Sequence, residues 1–148
     1  MSLLQTLVVV ILLLPTSKAA AQHFDPRSGR LILDEVLALV YEQTRIQPAA
    51  LHQQRPLIDQ GLDQLEVTEV VMAIEEVFRV TMPDYYLPEV GMTKPRDAKP
   101  DTDLSIAHLV RDLKVALQTQ KSPKQLRTLV DQLAQRAAKR PKTRLPPR

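Results

Sequence analysis

The chain has no cysteine among its 148 residues. That excludes disulfides, thiolate metal sites and a cysteine nucleophile together, and it is compatible with any redox compartment. Glycine is nearly as scarce: three glycines stand against twelve prolines, too few for a Gly-rich phosphate loop or many hairpin turns. Aromatic residues make up 3% and tryptophan is missing, so any core has to be aliphatic. No segment alternates apolar and polar residues long enough to predict a strand, and no internal repeat is present. What is left is helical periodicity broken by prolines, the pattern of one small all-α domain with appendages.

The net charge of +3 hides a division. From Lys121 to Arg148 there are nine Lys/Arg and one acid, Asp131, giving +8 and leaving −5 for the first 120 residues. The high isoelectric point belongs to the tail, and the body is acidic.

Residues 3–14, LLQTLVVVILLL, are almost wholly apolar and end at Pro15. The run is shorter than the roughly 20 residues a membrane-spanning helix needs. Ala19-Ala20-Ala21 follows, a small-residue pattern suited to signal peptidase. Residues 1–21 are therefore expected to be a secretory signal cleaved after Ala21, with an uncleaved membrane anchor and a buried core helix as the alternatives. The protein is expected to be exported, periplasmic or secreted. Residues 22–30 read as an extended lead-in to the body at 31–120, and 121–148 as a basic helix and an unfolded Pro-rich tail.

Within the body, residues 31–45 carry Leu33, Val36, Leu37 and Val40 at helical spacing. Pro48 and Pro56 interrupt a long connection over 46–63. A second helix is expected from Gln64 to Arg79 with Asp63 as its N-cap. The proline-rich stretch 85–103 reads as a loop with one short helical turn near Tyr85–Leu87. Residues 104–117 read as a closing helix capped by Asp103, and 124–140 as an amphipathic helix with Leu126, Leu129, Val130 and Leu133 on one stripe.

The second helix has two unlike faces. At ~100° per residue, Val67, Val70, Val71, Ile74, Val77 and Phe78 share the arc that must meet the core. Glu66, Glu69 and Glu76 fall on the opposite side together with Leu65 and Met72. Acids alone would be a solvated face. Two apolar residues among them would waste area in water unless something covers them. A protein partner with a basic, partly apolar surface is the expected counterpart.

The stretch LIDQGLDQLEVTEVVMAIEEVFRVTMPD (57–84) resembles the acyl carrier protein, or phosphopantetheine-binding, family. The pattern stands here as Leu57-Ile58-Asp59, Gly61, Asp63-Gln64-Leu65, the acidic helix, then Met82-Pro83-Asp84. A weaker likeness extends over roughly 31–118. The resemblance implies a small carrier-like bundle of three main helices and one short one, to which the basic C-terminal helix is added. The family's attachment serine follows the Asp; here Gln64 takes its place, and an amide cannot form the phosphodiester link. Ser105 and Ser122 follow no such loop. The loop at 88–101 is longer than the family's connection, and an export signal is unusual for the family.

His23, His52 and His108 are scattered without metal-ligand spacing, and no HExxH pattern occurs. Glu75-Glu76 lie on an exposed helix, and no nucleophile motif is present. The reading is a non-enzymatic interaction module with no cofactor and no metal, an adaptor or subunit of a membrane-associated assembly. Its partner contacts are expected at Asp63, Gln64, Leu65, Glu66, Glu69, Met72 and Glu76. Residues 124–140 either cover the core as a further bundle helix or meet a membrane surface, an acidic protein or the acidic helix of a second copy. Their apolar stripe and the export signal argue against nucleic acid. The alternatives are a protein that binds or delivers lipid in the bundle interior, and a carrier modified at an unconventional site.

Overall fold

The structure, a computed structural model, describes residues 24–85 and 104–140. These form four α-helices and two 3₁₀ turns; among the described residues the sole β-pairing is an isolated bridge between Pro56 and Ser105. The N-terminal apolar segment, His23, the loop at 88–101 and the tail from 141 lie outside them, as do Tyr86 and Leu87 of the expected short helix. No helix among the described residues is long and apolar enough to cross a membrane.

The first helix, α1 (Pro26–Thr44), begins within the expected lead-in, so residues 26–30 are helical rather than extended. Asp25 explains the early start. Its carboxylate accepts from the Ser28 backbone N–H at 2.9 Å and from the Ser28 hydroxyl at 2.7 Å. Pro26 follows at the first helical position, where its missing N–H costs nothing. The buried face is Ser28, Ile32, Glu35, Val36, Leu39 and Val40; Leu33 and Leu37, expected inside, are only half-buried.

The connection to the next helix is ordered by its own bonds. It makes 3₁₀ turns at Pro48–Ala50 and Ile58–Gln60, because proline blocks a long helix but is well placed at the start of a short one. The Gln60 side chain bridges the two ends of the bend. Its carbonyl accepts from His52 N–H at 2.6 Å, and its amide donates to the carbonyls of His52 (3.0 Å) and Arg55 (2.7 Å). Leu57 N–H and Ala107 N–H tie the connection to the closing helix through Leu104 and Gln53 carbonyls.

Helix α2 (Gln64–Phe78) buries Val67, Val70, Ile74 and Phe78, while Val71 and Val77 are half-buried. Beyond it, Met82 N–H donates to Glu75 at 2.7 Å and Gln120 clamps both the N–H and the carbonyl of Thr81. Helix α3 (Ile106–Gln120) is capped by Ser105; the expected cap, Asp103, lies outside the described residues. Ser105 is fully buried and its oxygen accepts from His108 N–H.

Helix α4 (Pro123–Lys139) starts with a capping box between Ser122 and Gln125. Leu126, Leu129 and Leu133 are buried and α4 packs against α1. It is thus a bundle helix with Lys124, Arg127, Asp131 and Lys139 outward, the covering role among those expected for this segment. Helix α1 lies at the centre and touches each of the other three. The core is aliphatic apart from Phe78.

Candidate functional site

The candidate site is the start of α2 and the face that α2 turns to solvent. Gly61 ends the preceding 3₁₀ turn at φ 96°, in the left-handed region that a β-carbon disfavours. That backbone turns the chain back so that the Leu62 N–H reaches the Leu57 carbonyl at 3.3 Å and the Leu62 side chain drops into the core. Asp63 follows in extended conformation as the N-cap. Its Oδ1 accepts from Glu66 N–H at 2.8 Å, while Glu66 Oε2 accepts from Asp63 N–H at 2.9 Å. This reciprocal pair satisfies two of the N–H groups that a helix start leaves free, and it sets two carboxylates at the positive end of the helix dipole.

The cap fixes Gln64 as the first residue of α2, half-buried, with its carbonyl accepting from the Thr68 hydroxyl at 2.9 Å. Leu65 is 66% exposed and Met72 61% exposed, although both are large apolar side chains. Glu69 and Glu76 are exposed beside them. With spacings of four, three and four residues, Leu65, Glu69, Met72 and Glu76 form one stripe along α2.

Of the seven residues singled out from the sequence, the structure gathers these four on that stripe. Asp63, Gln64 and Glu66 stand at its upstream end. Asp63 and Glu66 differ from Glu69 and Glu76 because their carboxylates are engaged in the cap. Ile58, 41% exposed in the turn before the site, is an apolar residue that the sequence reading left aside. Its signal is its neighbour: Leu57 is fully buried, and two adjacent residues in a tight turn do not both face the core. Among the described residues no group of His, Cys, Asp and Glu is arranged to hold a metal.

Comparison with known proteins decides the kinship. Residues 34–87 match the family model for the phosphopantetheine attachment site. The acyl carrier protein of Campylobacter fetus subsp. fetus is 44% identical over 54 residues, 36% of this chain and 70% of that protein. The chain belongs to the acyl carrier protein family. The acyl carrier protein of Wolinella succinogenes is 37% identical over 54 residues, 36% of this chain and 71% of the relative. That of Campylobacter jejuni subsp. jejuni serotype O:23/36 is 44% identical over 52 residues, 34% of this chain and 68% of the relative. No solved structure gives a significant match. The carrier match covers most of α1, the connection, α2 and the segment to Tyr85. Helices α3 and α4 lie beyond it. That family is one of carriers and not of catalysts.

Proposed function

We propose that this chain is a carrier-family module that works by protein contact through the outward stripe of α2, without a covalently attached arm. The observation that carries the reading is Gln64 at the first position of a fully capped α2. A carboxamide offers no hydroxyl for a phosphodiester, yet the loop, the cap and the acidic helix around it are complete. The stripe combines charge, which steers a basic partner, with Leu65 and Met72, which supply apolar anchors. The module is read as exported, on the strength of the apolar run at 3–14 and Ala19–Ala21, and as an adaptor or subunit of a larger membrane-associated assembly.

The test is a mass measurement after incubation with coenzyme A and a phosphopantetheinyl transferase. The natural chain is expected to gain nothing, and Gln64→Ser to gain one phosphopantetheine. A covalent arm on the natural chain would sink the reading. Glu69→Lys is the cleaner probe of docking, since Glu66→Lys also dismantles the cap. It is expected to abolish capture of the natural partner while the helical content stays unchanged. The same mass measurement on protein from its own cells reports whether residues 1–21 are removed.

A further inference from the structure

The outward stripe of α2 does not end with its acids. Arg79, which closes the helix at φ 51°, continues it three residues beyond Glu76. Beside Arg79 opens a groove of ≈ 460 Å³ between the end of α2 and the first half of α4. Half-buried Val77 gives it apolar surface above the buried Phe78 and Leu129, and Arg79, Lys121 and Lys124 give it three cations; no carboxylate lines it.

Two of these cations are placed differently from one another. Lys121 donates its ammonium to the Arg79 carbonyl at 3.0 Å, at the negative end of the α2 dipole, where a cation stabilises the helix. Lys124 stands exposed in the first turn of α4, at the positive end, where a cation is unfavourable. Its charge therefore does nothing for its own helix. The ion pairs of the described residues join Arg111 to Asp112 and Arg136 and Arg140 to Glu35, and none uses Lys124, Glu69 or Glu76.

The chain thus carries an acidic stripe with two exposed apolar side chains and a basic groove with apolar walls. Both are built on α2, whose rigidity prevents a chain from folding its stripe into its own groove. We propose that the groove receives the Leu65–Glu69–Met72 stripe of a second copy, and that the two copies exchange this contact about a two-fold axis. An isologous exchange closes on itself and leaves no stripe or groove unfilled. The inference rests on the docking reading above and names the partner of that face as another copy of the chain.

Sedimentation velocity on the full chain across a concentration series tests it. The natural chain is expected to form a dimer that weakens as salt rises, because exposed charges are screened. Glu69→Lys and Lys124→Glu are each expected to weaken the dimer by about tenfold or more, since each sets like charges opposite one another. Neither disturbs folding: position 69 is exposed mid-helix, and an acid at position 124 suits the start of α4. Mixed in equal amounts, the two variants are expected to regain the dimer, because the reversed stripe of one then meets the reversed groove of the other. A natural chain that stays monomeric overturns the proposal, as does a dimer indifferent to both variants or a mixture without recovery. A monomer that still captures a basic partner through Glu69 would overturn the second copy as occupant and leave the docking reading standing. A covalent arm in the mass measurement would instead remove the reading itself.

Discussion

Glu35 lies in α1 beside Ile32, Val36 and Leu39 with 1% of its side chain exposed. A carboxylate in such surroundings is costly unless paired, and α4 supplies two arginines. Arg136 Nη1 lies 3.0 Å from Oε1 and Arg140 Nη2 2.9 Å from Oε2. Oε1 accepts no well-directed hydrogen bond, so on that side the attraction is charge rather than a directed bond. The three partners are not equivalent. Arg136 is 50% exposed and Arg140 31%, so both can turn to water if the carboxylate is removed. Glu35→Ala is therefore expected to cost only about 1–2 kcal/mol, below the usual penalty for breaking a buried pair. The double change Arg136→Ala/Arg140→Ala leaves the carboxylate buried and uncompensated, and is expected to cost about 3–5 kcal/mol. Urea unfolding midpoints decide between them; equal losses, or the reverse order, would refute this asymmetry. A second single-residue expectation concerns acid. Hydrogen bonds from Ser28, first its backbone N–H and then its hydroxyl, hold the Asp25 carboxyl below its ordinary value. A depressed value in the folded state means that the cap is present above the ordinary carboxylate range and is lost as pH falls through the lowered one. The Ser28 amide resonance should titrate with a midpoint below 3.8, and a midpoint above it would contradict the cap.

At the scale of elements, the bend before α2 and the cap that starts it hold the site. Gln60 acts as both donor and acceptor within that bend. Gln60→Glu would keep the acceptor for His52 N–H but face the carbonyls of His52 and Arg55 with a second oxygen. It is expected to destabilise more than Gln60→Ala, each by about 1–3 kcal/mol, by calorimetry or denaturant titration. If alanine proved the worse of the two, the amide donor would not be what secures the bend. Asp63→Ala should cost about 1 kcal/mol by removing the cap of α2. That cap was legible in the sequence, since Asp63 and Glu66 stand at capping-box spacing before a periodic apolar run. The core arc of α2 was legible too, because local periodicity and burial agree there. The start of α1 was not, for Pro26, Ser28 and Gly29 together imitate a loop, although Asp25-Pro26 is a sound helix beginning. Gln60 was equally hidden: its partners are backbone groups of a bend whose path depends on the closing helix.

At the scale of the molecule, what escaped the sequence was long-range. Glu35 looks like an acid near the start of a helix, which the dipole alone would justify; its real partners are about a hundred positions away, at the end of α4. The carrier match at 34–87 contains Glu35 but neither arginine. The basic helix therefore completes the bundle by neutralising a charge buried in the carrier unit. The chain's charge division follows the same line, with an acidic body held to a basic appendage. Truncation after Lys121 removes α4 and, with it, both arginines and the buried Leu126, Leu129 and Leu133. The truncated chain is expected to lose about 3 kcal/mol or more, or to fail to fold. Glu35→Leu separates the causes. In the full chain it replaces a buried ion pair by an apolar side chain, and is expected to be neutral or stabilising. In the truncated chain position 35 faces water, so the same change should bring no gain and should promote association through exposed apolar surface. An equal benefit in both chains would show that Glu35 is buried by the carrier unit alone, and that α4 is an attachment without a structural duty.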